Sequence, residues 1–308
     1  MKYSNEFRIK SASKVNLAKI DPSYHAGYEN EEDALAELNQ YSQHLSDLQA
    51  VLYAENKHAL LIVLQAMDGG GKDGTISHVM GALNPQGCNV VGFKVPTAEE
   101  LAHDYLWRIH KQTPRKGQIT VFNRSHYEDV LVVRVHNLVP KDMWSKRYNE
   151  INEFERMLSN SGTTIVKFFL HIDKEEQLKR FRDRLDQPEK QWKISDSDYS
   201  EREYWDDYQQ AYEEALSKCS FNYAPWYVIP ANHKWFRDLA VSHILVDTLE
   251  SLKMKYPTPS ADLVEIKQKY YAEVAEQSGL AAVELMSSEE ASKEKKGKKK
   301  GKKKKKKK

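Results

Sequence analysis

The 308 residues are enough for one large α/β domain with a full core, or for two small ones. Hydrophobic content is an ordinary 40%, and no apolar run approaches the roughly 20 residues a membrane-crossing helix needs, so no membrane role is expected. The formal net charge of +2 hides two opposite parts: residues 293–308 hold 13 Lys and one Glu, leaving 34 basic and 44 acidic residues in 1–292, a net of −10. An acidic body argues against a broad nucleic-acid-binding surface, so nucleic acid is expected at the tail or not at all. Cys88 and Cys219 have no metal-like spacing, and Met1–Lys10 has no apolar core segment. The expectation is a cytoplasmic protein without disulfides or a secretory signal.

Residues 1–30 read as an irregular N-terminal segment. Asn30 is placed to cap a helix from Glu31 to about Asn56, with Ala34, Leu35, Leu38, Leu45, Leu48 and Leu52 on one face. Five strand-like runs follow, His58–Gln65, Cys88–Val95, Gln118–Asn123, Thr163–Ile172 and Trp226–Ile229, alternating with helical patterns, one of them predicted over Ala98–Gln112. Their apolar character is nearly continuous, as in strands covered by helices on both faces. The alternation predicts a parallel sheet with right-handed crossovers, whose ligands bind beyond the C-terminal strand ends. Residues 258–292 read as an accessory helical segment, and 293–308 as a disordered lysine-rich tail.

The first strand runs into Ala66-Met67-Asp68-Gly69-Gly70-Gly71-Lys72-Asp73-Gly74-Thr75, after which a helical pattern begins. This is the layout of a phosphate-binding loop: glycines let backbone amides turn toward a phosphate, the helix adds its positive end, and Lys72 reaches the phosphate oxygens. The usual Gly-x-x-x-x-Gly-Lys-Ser/Thr pattern would have glycine at Ala66 and a metal-binding hydroxyl at Asp73. Carboxylates at Asp68 and Asp73 instead suggest Mg²⁺ held by the loop itself. The bland alternative is a glycine-rich turn that binds nothing.

The third strand ends in Asn123-Arg124-Ser125-His126-Tyr127-Glu128-Asp129. Arg124 would aim a guanidinium at phosphate oxygens, with Glu128 and Asp129 as further candidate metal ligands. The alternative is a surface ion pair between Arg124 and Asp129. His126 reads as structural, since an acceptor phosphate is already anionic and needs no general base. Lys179–Lys193 carries six basic residues in fifteen, with Arg180 and Arg184 on one helix face and Lys190 and Lys193 beyond Pro188. It reads as a lid at about 180–200 that excludes water and supplies cations. Lys94 and Arg108 could join Lys72 and Arg124 in a basic track, and Trp107 and Trp192 read as packing residues.

These motifs resemble the polyphosphate kinase 2 family. The resemblance rests on Gln65–Thr75, Asn84-Pro85-Gln86-Gly87, Asp104-Tyr105-Leu106-Trp107-Arg108, Phe122–Val130, Pro188–Lys193 and Tyr223–Pro230. It implies a three-layer α/β/α P-loop kinase fold over residues 31–257, with a parallel five-stranded sheet and a helical lid. It further implies Mg²⁺-dependent phosphate transfer, with Mn²⁺ as a substitute, between inorganic polyphosphate and AMP, ADP, ATP and guanine nucleotides, in a homo-oligomer. By motif, Asp68 would be the loop carboxylate, Lys72 and Arg124 would bind phosphate, and Lys190 and Lys193 would be lid cations. Taken with the reading of the residues themselves, Asp68, Lys72, Arg124 and Glu128 are the expected catalytic residues, with Asp68 and Glu128 as metal ligands and Asp73 and Asp129 as candidates. Gly69, Gly70, Gly71, Lys72, Asp73, Gly74, Thr75, Lys94, Arg108, Arg124, Arg180, Arg184, Lys190 and Lys193 are expected to contact phosphates. Glu128 looks like the subclass that phosphorylates both nucleoside monophosphates and diphosphates. Many members carry Asp where this chain has Asn123, which moves metal binding onto Asp68. The alternatives are an ATP-dependent P-loop nucleotide or sugar kinase, and a non-catalytic P-loop protein that binds nucleic acid through its tail.

Overall fold

The computed structural model describes residues 2–278; the expected accessory segment from residue 279 and the lysine-rich tail lie outside the described residues. Five strands form one parallel sheet: β1 (Ala59–Ala66), β2 (Cys88–Gly92), β3 (Ile119–Asn123), β4 (Thr163–His171) and β5 (Trp226–Pro230). Their order is β2-β3-β1-β4-β5, with β1 in the middle, paired in register Leu60 with Ile119 on one side and Ala59 with Thr163 on the other. Every residue of β1 and β5 is buried, which accounts for their unbroken apolar character. Beyond β1 the chain goes out to the edge strand β2, returns through β3 beside β1, and then crosses to β4 on the other side. The crevice at the C-terminal end of β1 is therefore where ligands bind in sheets of this kind.

Helices of eight residues or more are α1 (Glu31–Glu55), α2 (Lys72–Val79), α3 (Lys141–Asn160), α4 (Lys174–Asp186), α5 (Asp196–Glu203), α6 (Trp205–Lys218), α7 (Lys234–Ser251) and α8 (Leu263–Ser278). Asn30 caps α1 by accepting from the Asp33 amide, and Ala34, Leu38, Leu45 and Leu52 are buried. Leu35 is 40% exposed, off the predicted face; Gln49 takes a buried position instead, holding the Asn84 amide and carbonyl. α7 is buried nearly all round and packs against α1. The predicted helix over 98–112 is two short turns, Ala98–Leu101 and Trp107–His110.

The chain divides into two compact units, Met1–Tyr256 and Pro257–Lys308. The second contributes α8 to the described residues. In the first, residues 1–30 are not merely irregular. Tyr3, Phe7, Val15 and Leu17 are buried in the core. The strip at Phe7–Ile9 pairs antiparallel with the free edge of β5, through Ile9 N to Trp226 O at 2.9 Å and Val228 N to Phe7 O at 3.0 Å. It thereby covers an edge that would otherwise expose unpaired backbone groups. Among the described residues no helix is long and apolar enough to cross a membrane.

Candidate active site

The loop after β1 closes as its glycines dictate. A Cβ on Gly70 would sit 2.5 Å from Ala66 Cβ and 2.8 Å from Met67 O, so no other residue fits there. Gly71 adopts φ +99°, a left-handed conformation open to glycine, and caps the start of α2. Lys72, first in that helix, folds back to donate to Ala66 O at 3.1 Å. Its ammonium is held below its usual pKa by burial, against the opposing pull of Asp68, Glu128 and Asp73. An anion brought to the loop would restore the charged ammonium that burial disfavours.

Arg124, directly after β3, has φ +62°, which a non-glycine residue adopts at a cost. Its amide donates to Leu64 O at 3.1 Å, and its guanidinium donates to Asp68 Oδ1 at 3.1 Å. The strained turn thus brings the ends of β1 and β3 into one group. Asn123 Nδ2 donates to Asp73 Oδ1 at 2.8 Å, a bond an ionised Asp at this position could not make. Burial holds the carboxyl of Glu128 above its ordinary range, while Arg124 and Lys72 draw it back. Glu128 therefore lies within the field of both cations.

A cleft of about 1140 Å³ opens over these groups at the C-terminal end of the sheet, with Glu128 set back from its lining. The loop from Asp68 to Gly74 forms its floor, with Lys94 beyond β2, Asn123 ending β3 and Arg124 just after it, and Arg180, Arg184, Lys190 and Lys193 beyond β4. Lys190 and Lys193 lie on a 3-10 turn over Pro188–Lys193 that links α4 to α5. Residues from four strand ends and the region of the predicted lid thus share one basic cavity in an otherwise acidic body.

Several expectations need correction. Arg180 is 6% exposed and fully engaged with protein, donating to Glu176, Gly69 O, Ala231 O and Asn232 O; it clamps the loop onto the segment after β5. Arg184 lines the cleft but donates to Lys193 O at 3.2 Å and faces Asp198 at 3.6 Å. Arg108 is outside the cleft: it donates to Glu100 and to Lys94 O at 2.9 Å, so it supports Lys94 from behind. Thr75 is buried below the loop with an unpartnered hydroxyl and does not line the cleft. Asp129 pairs with Arg147 at 2.8 Å, which removes both the Arg124–Asp129 surface pair and an easy metal role for Asp129. Trp192 is 78% exposed and lines the cleft with Lys193 over its ring, so it packs no core.

His126 is fully buried and meets Glu155 at 3.1 Å, away from the cleft. Sequence reasoning missed Lys234 and Arg237, which line the cleft from the start of α7. For Lys234 the signal was present: Asn232-His233-Lys234 follows β5 as the glycine loop follows β1.

Comparison with known proteins agrees with this geometry. Residues 28–257 match the family model for Polyphosphate kinase 2. A Meiothermus ruber protein named AMP/ADP-polyphosphate phosphotransferase is 55% identical over 255 residues, covering 82% of this chain and 96% of the relative. One of Rhodopseudomonas palustris, named ADP-polyphosphate phosphotransferase, is 48% identical over 86% of this chain and 98% of its own. The crystal structure of Polyphosphate Kinase 2 from Arthrobacter aurescens TC1 superposes with a TM-score of 0.84 at 44% identity, covering 89% of this chain and 96% of that one. With a glycine loop, a strand-end arginine and the lysines of the Pro188–Lys193 turn around one cleft, and a family match across three quarters of its length, the chain belongs to the polyphosphate kinase 2 family.

Proposed function

We propose that this chain moves phosphate between inorganic polyphosphate and AMP or ADP, and extends to guanine nucleotides. The observation that carries the reading is the single cleft in which Lys72, Arg124, Lys190 and Lys193 converge on the glycine loop. A linear polyanion suits such a track of cations, and an acceptor phosphate needs positioning rather than deprotonation. Lys72 and the loop amides would hold the transferred phosphoryl group, Arg124 would neutralise charge between donor and acceptor, and the lid lysines would draw the donor in and exclude water.

The residues present suit a divalent cation. Asp68 Oδ1 accepts from Arg124, its Oδ2 has no hydrogen bond among the described residues, and its side chain is 32% exposed at the cleft. Asp73 is held by Asn123. No group of three candidate ligands exists among the described residues, which fits Mg²⁺ or Mn²⁺ bound by one or two carboxylates and completed by phosphates and water. Such a cation neutralises phosphate oxygens and aligns the two reacting groups.

The test is Lys72→Ala assayed for polyphosphate-dependent conversion of ADP to ATP. Loss of one key electrostatic donor typically costs roughly 3–4 kcal/mol of transition-state stabilisation. Turnover should therefore fall about two to three orders of magnitude with an unchanged circular dichroism spectrum. Near-normal turnover would remove the phosphate-loop assignment.

A further inference from the structure

The start of α7 brings a buried arginine up behind the glycine loop. Arg237 is 1% exposed, yet it lines the cleft. Its Nε donates to Asp238 Oδ1 at 2.8 Å and its NH2 to Asp238 Oδ2 at 2.9 Å. Asp238 is itself buried, and its Oδ2 also meets His78 Nδ1 at 2.9 Å. One carboxylate therefore fixes two of the three guanidinium nitrogens, and His78 fixes the carboxylate. NH1 remains, with no hydrogen-bond acceptor among the described residues.

NH1 is aimed at the loop. A Cβ on Gly71 would lie 2.0 Å from it, and one on Gly74 would lie 3.1 Å from NH2. Two glycines of the loop thus leave the space that the guanidinium fills. The neighbouring Arg180 has its three nitrogens on Glu176 and on backbone carbonyls, so it is a structural clamp. Arg237 differs in holding one donor back from protein. A cation buried beside a phosphate cradle, fixed by a carboxylate on one side and carrying an unused donor on the other, is arranged to meet an anion.

We propose that Arg237 is a phosphate-binding residue of the polyphosphate site, presenting NH1 through the gap at Gly71, and that Asp238 is the residue that positions it. The inference rests on the reading of the cleft as the polyphosphate site. Polyphosphate would then be gripped from behind the glycine loop as well as by Lys72 and the lid lysines. The competing role is a purely structural prop for the loop.

The experiment compares Arg237→Lys, Asp238→Asn and the double variant Arg237→Gln/Asp238→Asn with the unaltered chain. Lysine keeps a charge for Asp238 but cannot serve both the carboxylate and the loop. The readouts are KM for polyphosphate and for ADP, the melting temperature, and calorimetric titration with sodium polyphosphate of defined length without nucleotide. Arg237→Lys should raise the polyphosphate KM and dissociation constant about ten- to a hundredfold, the range for a hydrogen bond to a charged group. KM for ADP should stay within about twofold. Asp238→Asn should cause a smaller rise in the same constant. The double variant, which buries no lone charge, should bind as weakly as Arg237→Lys and decides the matter if the single variant does not fold. Unchanged polyphosphate binding in a folded variant would overturn the proposal. A fall in kcat and in both affinities that tracks melting temperature would also overturn it, in favour of the prop. Failure of the unaltered chain to bind polyphosphate would instead count against the reading of the cleft itself.

Discussion

Glu128 is the residue whose ionisation the site makes consequential. Burial raises its pKa above the ordinary 4.5, and the facing cations Arg124 and Lys72 only partly offset this. Under the proposed function its charge would orient the shorter acceptor, AMP, or hold a second cation. A carboxyl group is neutral below its pKa and charged above it, so a raised pKa moves the loss of charge to higher pH. The kcat/KM for AMP should therefore fall with acidification through a limb lying above pH 4.5. Glu128→Gln should remove that limb and depress AMP phosphorylation more than ADP phosphorylation at pH 8. Equal loss on both acceptors, or an unmoved limb, would mean that Glu128 serves a general structural purpose. At this scale the sequence was readable where chemistry is local. Lys72 follows three glycines, and Asp68 and Arg124 sit at strand ends, so their convergence follows from the topology. The bonds that hold Arg180 and Arg108 were not legible, because the carbonyls that capture them, Ala231 and Lys94, come from other segments.

Among the elements, the turn at His126–Val130 that carries Glu128 is fixed from beneath by a buried polar network. Lys167 of β4 and Glu155 of α3 are both fully buried and form an ion pair; Lys167 also donates to Tyr127 Oη at 2.8 Å and to Cys219 O at 2.7 Å. Tyr127 Oη in turn donates to Glu155 at 2.9 Å, where His126 meets the same carboxylate. Removing one partner of such a pair leaves an uncompensated charge in the core, at about 3–5 kcal/mol. Lys167→Met should lower stability by that amount in urea unfolding; a loss under about 1 kcal/mol would show that the network is not what holds the turn. The strands were legible because burial on both faces writes itself as continuous apolar runs. The helix predicted over 98–112 was not: Asp104 Oδ1 accepts from the Leu106 amide at 3.0 Å, and this local bond breaks the run into two turns.

Over the whole molecule, the parallel sheet could be anticipated from strand–helix alternation, whereas the docking of the N-terminal strip on β5 could not. That contact joins Phe7–Ile9 to Trp226–Val228, and nothing in either segment names the other. The same limit hid Arg237, which meets the loop only once α7 has packed against α2. The described residues present a cationic cleft in a body whose sequence is acidic, an arrangement suited to a phosphate polymer as donor. The most direct measurement is incubation of the purified protein with AMP, Mg²⁺ and polyphosphate, with no ATP added, followed by chromatographic separation of nucleotides. The account predicts ADP and then ATP, accumulating in proportion to polyphosphate consumed. Nucleotide that stays as AMP under these conditions, but is phosphorylated once ATP is supplied, would contradict it.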